Sequence, residues 1–224
     1  MTSGINWDRI QNSGEHAQTL DFSKAQAVTA GQRLDFGKDN PDVKNIRVEL
    51  YWNSDNDGDV SILLLGSDDK ALPGRVDPNN PNSTAGMVWY NNEEVPGVIH
   101  SGDVTTAGTD PSEPEETIRI QLDRLDSKAE KVLVVASTFP DEDDATERPV
   151  PFGKLRDCKV MVIDDDTSKV LYLFELSEDY DAFTSVELAN FYKRNGEWRF
   201  TSMGTGVGTS PRALSDIAAK YGVK

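Results

Sequence analysis

The sequence is poor in the residues that do covalent and redox chemistry: one cysteine, Cys158, and two histidines, His16 and His100, in 224 residues. A lone cysteine excludes an internal disulfide and a Cys-rich zinc site, and predicts a reducing compartment, the cytoplasm. Long apolar runs are missing too. None approaches the roughly 20 residues needed to span a bilayer, so no direct membrane insertion is expected. The opening Met1-Thr-Ser-Gly-Ile-Asn-Trp-Asp8 has neither a basic start nor an apolar core, which predicts no standard export signal. Positive charge is also short. The 23 Lys and Arg against 39 Asp and Glu give a net charge of −16, which repels phosphate backbones, argues against nucleic acid as a partner, and attracts cations.

What the sequence has is period-two patterning. Residues 1–19, interrupted by Gly4, Asn12, Ser13 and Gly14, show no apolar face and read as a mobile N-terminal arm. From Leu20 onward, short apolar-polar alternations recur: Ile46 to Tyr51, Val60 to Leu65, Met87 to Tyr90, Ile118 to Leu122, Val132 to Ala136, Lys159 to Ile163, Val170 to Leu176, Val186 to Tyr192 and Trp198 to Met203. Turn residues separate them, and Asn195-Gly196 is the strongest hairpin signal. One helix is expected at the end, with Ser210 as N-cap, Pro211 in the first turn, Leu214, Ile217 and Ala218 as its apolar stripe and Gly222 as its stop. The expected fold is all-β dominated: an antiparallel β-sandwich of two sheets with a short C-terminal helix, one domain over residues 20–224. Two long polar loops, Leu72 to Gly86 and Ser101 to Glu116, are of a length that compact domains keep mostly for binding or leave without order.

The sharpest candidate site is Asp55-Asn-Asp57-Gly-Asp59-Val-Ser61, where period-two geometry aims Asp57 and Asp59 to one side at the entrance to an apolar strand. An EF-hand is excluded, because Val60 stands where that loop needs glycine and Gly66 where it needs a bidentate glutamate. The second candidate is the loop carrying Asp103, Asp110, Glu113, Glu115 and Glu116, whose carboxylates and carbonyls suit Ca²⁺ better than the rigid octahedron of Mg²⁺. The runs Asp141 to Asp144 and Asp164 to Asp166 read as solvated loops. His100-Ser101-Gly-Asp103 is too contiguous to fold into a nucleophile-base relay, and Cys158 reads as a small strand residue, so neither points to nucleophilic catalysis. The turn Gly204-Thr-Gly206-Val-Gly208-Thr-Ser210, between a strand and a helix, leaves an alternative: a protein handling a nucleotide or phosphometabolite there, with Arg212 as its nearest basic group. A third reading is a metal-independent adhesion or ligand-binding sandwich.

The succession Asp57-x-Asp59-x-Ser61, Tyr90-Asn91-Asn92, His100-Ser-Gly-Asp103, Phe152-Gly153, Leu176-Ser-Glu-Asp179 and Tyr192-Lys-Arg-Asn-Gly-Glu-Trp-Arg-Phe200 resembles the TerD-type tellurium-resistance and stress-protein family, over about Leu20 to Val223. The resemblance implies a cytoplasmic, non-enzymatic β-sandwich that binds Ca²⁺ at an acidic edge. It also implies a scaffold or signalling role in resistance to tellurite, phage and colicins, with protein partners that include a membrane-associated complex at the inner membrane. Carried over residue by residue, it places the metal ligands on Asp57, Asp59 and Asp103, and loosely on Asp110, Glu115 and Glu116. The sequence departs from the family pattern where Val104 replaces an asparagine and where Pro111 and Pro114 enter the loop.

Overall fold

The computed structural model describes residues 20–73, 86–108, 110, 112–139, 149–207 and 213–223. The expected arm over 1–19, the acidic run 141–144, most of the 72–86 segment, and Ser210, Pro211 and Arg212 lie outside them. In chain order the strands are β1 (Gln26–Ala27), β2 (Arg33–Leu34), β3 (Asn45–Tyr51), β4 (Asp57–Leu65), β5 (Met87–Val88), β6 (Glu94–Val95), β7 (Val98–His100), β8 (Glu116–Gln121), β9 (Lys131–Phe139), β10 (Lys159–Asp164), β11 (Lys169–Glu175), β12 (Ser185–Arg194) and β13 (Glu197–Gly206). The helices are α1 (Phe36–Asp39), α2 (Leu176–Asp179) and α3 (Ala213–Lys220).

Two sheets result, a seven-stranded one in the order β1-β11-β10-β3-β8-β7-β6 and a six-stranded one in the order β2-β13-β12-β9-β4-β5. All pairings are antiparallel except β1 with β11. Alternation along each strand builds the space between the sheets. Ile46, Val48 and Leu50, with Ile118, Ile120, Val160 and Val162, meet Val60, Ile62, Leu64, Val132, Val134, Ala136 and Phe191 from the other sheet. The expected sandwich is what forms. Asn195 and Gly196 both take positive φ, 56° and 81°, and close the β12–β13 hairpin as their sequence predicts.

Strand β4 departs from simple alternation, because all nine of its residues are buried. Its second face, Leu63 and Leu65, joins Leu133 and Val135 of β9 under Leu214, Ile217, Ala218 and Tyr221 from α3 and the residue after it. The apolar run Ile62-Leu63-Leu64-Leu65 therefore reflects cover on both sides, from the second sheet and from the helix. The Asp164–Asp166 run is engaged rather than solvated: Asp165 pairs with Arg47 (2.8 Å) and Arg119 (3.3 Å), and Asp166 accepts from the Asn45 amide. Cations on β3 and β8 hold this turn onto the outer face of the seven-stranded sheet, a pairing across distant strands that local sequence does not encode.

Candidate metal centre

The site begins with a gap in a sheet. β5 pairs with β4 only at Ile62 and Leu63, so among the described residues the stretch of β4 before Ile62 has no strand on that edge. Its backbone groups still need partners, since an unpaired buried N–H or C=O is costly. Two side chains from the other sheet supply them. Glu116, the first residue of β8, accepts from the Val60 N–H at 2.9 Å, and His100, the last residue of β7, lies with Nε2 3.2 Å from the Val60 carbonyl oxygen. Both belong to the core-facing alternation of their strands, with His100 opposite Ile118 and Glu116 two residues before it. They reach across the interior to the bare edge.

His100 is fixed at both nitrogens. The Gly102 N–H donates to Nδ1 at 3.0 Å, which leaves Nε2 as the protonated nitrogen facing Val60. That bond turns the chain just before Asp103, at a glycine with φ of +103°. Ser101 reinforces the turn, donating its N–H to the Thr117 carbonyl and accepting the Thr117 N–H on its hydroxyl. The outcome is that one oxygen each of Asp59, Asp103 and Glu116 lie within 4.8 Å of one another. Glu116 and Asp59 are buried at 0% and 1% exposure, whereas Asp103 is exposed.

The electrostatics of this cluster are unfavourable as they stand. At an effective dielectric of about 20, two unit charges at this separation repel by roughly 3 kcal/mol. Apart from His100, whose Nε2 is 3.4 Å from Glu116 Oε2, no basic side chain among the described residues pairs with Asp103 or Glu116. The Glu116 Oε1 atom, fully buried, has no hydrogen-bond partner among them. A donor set made only of carboxylate oxygens is hard, and suits Ca²⁺ or Mg²⁺ rather than a thiophilic or imidazole-seeking metal. These residues fit a divalent cation of that class. It would use Asp59, Asp103 and Glu116, with remaining positions filled by carbonyls or water.

The other residues expected from sequence sit at graded distances from this point. Asp57 is on the same side of β4 as Asp59, two residues and so about 7 Å away along the strand, and is also buried. Phe139 pairs with Asp57 in register and packs edge-on against Tyr90, which brings the Tyr90-Asn91-Asn92 turn to this end of β4. Glu115 and Asp110 stand outside the cluster. Glu115 accepts the Gly108 N–H at 2.7 Å, and Asp110 accepts from the Ser112 N–H and hydroxyl, bonds that hold its carboxyl below the ordinary aspartate value. Both serve the internal hydrogen bonding of their own loop. Glu116, read as a loop residue, is the first residue of a strand, and this is why it reaches inward.

Two features escaped the sequence reading. One is His100, whose place beside Ser101 and Asp103 suggests a failed triad and conceals its two backbone bonds. The other is a strip of hydroxyls: Ser137 lies opposite Asp59, and Ser185 opposite Ser137, each with a buried oxygen that has no partner among the described residues. The glycine turn has steric causes instead. A Cβ on Gly204 would meet Ala30 and the Tyr180 hydroxyl at 2.5 and 2.6 Å, and one on Gly206 would meet the Phe183 ring at 2.4 Å. Gly208 to Ser210 lie outside the described residues.

Comparison with known proteins agrees with this architecture. The TerD domain pattern matches residues 25–221. General stress protein 16U of Bacillus subtilis is 27% identical over 207 residues, covering 88% of this chain and 97% of its own length. Tellurium resistance protein TerD of Serratia marcescens is 27% identical over 205 residues with the same coverage. The crystal structure of a homologue of telluride resistance protein from Streptomyces coelicolor A3(2) superimposes with a TM-score of 0.56 at 18% identity, over 76% of this chain and 95% of that one, which shows a shared fold.

Proposed function

Since the chain belongs to the TerD domain family, we propose that it is a calcium-binding, non-enzymatic stress-response protein of the cytoplasm, acting as a scaffold or signalling component in tellurium-resistance-type responses. The observation that carries the reading is the convergence of Asp59, Asp103 and Glu116, with the buried Glu116 Oε1 left to be satisfied. The cation would bind one residue from each of three separate elements: a strand of one sheet, a strand of the other, and the loop after β7. Binding would therefore fasten that loop to the sandwich edge, and the ordered edge is the surface offered to a protein partner. A non-enzymatic role is supported by the two groups best suited to covalent or proton-transfer chemistry. His100 has Nδ1 taken by the Gly102 N–H and Nε2 held between the Val60 carbonyl oxygen and, at 3.4 Å, the Glu116 carboxylate. Burial pushes the Cys158 thiol far above its ordinary value and keeps it from acting as a nucleophile.

Calorimetric titration with calcium, paired with thermal melting, tests this. A ligand that binds only the folded form stabilises it by about 2.7 kcal/mol at a hundredfold excess over its dissociation constant. For a chain of this size, that corresponds to a rise of roughly 5–10 °C. No heat and no shift at millimolar calcium would remove the reading. Magnesium giving an equal response would show a site of different rigidity from the one argued here.

A further inference from the structure

Six residues from the acid cluster along β4, the six-stranded sheet carries the opposite charge. The outward positions of β12, namely Asn190, Tyr192 and Arg194, lie beside Lys131 of β9, Thr201 and Met203 of β13 and Arg33 of β2. Strand register makes this a continuous surface, since Tyr192 pairs with Lys131, Asn190 with Thr201, and Thr201 with Arg33. Together they line a shallow depression of about 400 Å³ that, among the described residues, contains three cations and no carboxylate.

In a chain of net charge −16 this concentration stands apart. Arg47, Arg119 and Arg199 all face carboxylates: Arg47 meets Glu49 and Asp165, Arg119 meets Asp165, and Arg199 meets Asp35 and Glu197. Arg33 and Arg194 form no ion pair among the described residues, which is true of Arg124 and Arg156 as well, but Arg33 and Arg194 line the same depression. Lys131 is matched by Asp69. Two positive charges are left uncompensated, both on guanidinium forks that bind phosphoryl oxygens in pairs. A phosphomonoester carries about −2 at neutral pH, the complementary charge.

The remaining walls say more about the ligand. Asn190 lines the depression and is half-buried; its Oδ1 is covered and has no hydrogen-bond partner among the described residues, so only the rest of its amide is left to a ligand hydroxyl or amine. Tyr192 and Thr201 add hydroxyls. Met203 packs against the apolar cluster under α3 and gives one dry wall. The volume falls in the range of small-molecule sites, about 300–1,000 Å³. Gly204 and Gly206, explained by packing, need play no part.

We propose that this open face of the six-stranded sheet, beside α3, binds a hydroxyl-bearing phosphorylated small molecule through Arg33 and Arg194, with Lys131, already paired with Asp69, at its rim and Asn190 beside its polar body. The site is independent of the acid cluster, which lies about 20 Å away along the strand.

Glucose 6-phosphate and glucose serve as the probe pair, titrated into the full chain in the presence of a chelator while NMR signals are followed. Glucose 6-phosphate is expected to shift Asn190, Tyr192 and Thr201, with glucose leaving them in place. The double variant Arg33→Gln/Arg194→Gln should weaken binding by about tenfold or more, since both charge-assisted contacts to the phosphoryl group are lost. Both arginines are exposed, and the melting curve of the free variant checks that its fold is intact. Asp59→Asn should bind glucose 6-phosphate as the parent does. The proposal is overturned if glucose 6-phosphate produces no shift at millimolar concentration, if glucose shifts the same residues equally, if the arginine variant binds unchanged, or if only a polyglutamate peptide engages this face.

Discussion

The two ends of β4 and its neighbour β9 make an instructive pair. At one end, Asp59 and Ser137 lie beside buried Glu116, and negative charge is held where water is excluded. At the other, Leu65 pairs with Lys131 at the margin of a depression lined by exposed or half-buried cations. The separation, about 20 Å, is two Debye lengths at an ionic strength of about 0.1 M, so each end acts without much help or hindrance from the other. The difference lies in burial. A buried carboxylate cluster changes the stability of the whole sandwich with its occupancy, because folding has already removed its hydration. Exposed cations keep theirs, and their occupancy should scarcely move the fold.

The largest effect should come from the acidic end. Asp59→Asn combined with Asp103→Asn should abolish most of the calcium-induced rise in melting temperature, read by calorimetry with and without chelator. In the absence of metal, Asp103→Asn alone should melt no lower than the parent, since a mutual repulsion has been relieved. A calcium response that survives intact would break the comparison at its first term.

Next in size is His100. His100→Ala leaves the Val60 carbonyl and the Gly102 N–H without their partners, a loss of about 1–3 kcal/mol for each buried group that water does not reach. Urea denaturation should show it, together with weaker calcium binding, because Gly102 positions Asp103. If stability falls while calcium affinity is unchanged, the histidine only closes the sheet edge.

A smaller effect is expected between the two ends, where Lys220 of α3 bonds the fully buried Glu187 at 2.8 Å. Partial burial works against the Lys220 charge, but the bonds to Glu187 outweigh it and hold its pKa above the ordinary lysine value. The folded state therefore keeps this proton more tightly than the unfolded one. The resulting stabilisation is fully present below the ordinary lysine range, near pH 10, and fades as pH rises through the raised value. The Tyr51 phenol, pushed up mainly by burial and further by Glu49, acts in the same direction. Stability should decline above about pH 10, and Lys220→Gln should cost about 1 kcal/mol at neutral pH, discounted because Lys220 is half exposed. A flat alkaline profile would count against the Glu187 pairing.

The smallest effect belongs to the basic end. Arg33→Gln/Arg194→Gln should leave both the melting temperature and the calcium titration of the chain unchanged. A marked shift in either would mean that the two ends communicate.

Much of the fold was legible because period-two alternation survives wherever one face of a strand meets the core, as in Ile46 to Tyr51 and Lys159 to Ile163. It failed to mark the short strands β1, β2, β6 and β7, each of two or three residues, where no period can develop. It also underestimated β4, which begins at Asp57 rather than at Val60. Of the site, the Asp57-Asp59 spacing and the Gly102-Asp103 step could be read directly, since strand period and turn chemistry are local properties. The roles of Glu116 and His100 could not, because each depends on which edge of a sheet is left bare.

By itself, then, the sequence determined an acidic, cysteine-poor chain of alternating strands with carboxylates spaced to converge, since charge, period and turn preference are carried by neighbouring residues. Tertiary structure alone decided that Asp59, Asp103 and Glu116 meet while Asp110 and Glu115 do not. It also gathered Arg33, Lys131 and Arg194, distant in sequence, onto one sheet face. Both outcomes are set by strand order and register, which bring together residues tens of positions apart and leave no trace in local pattern.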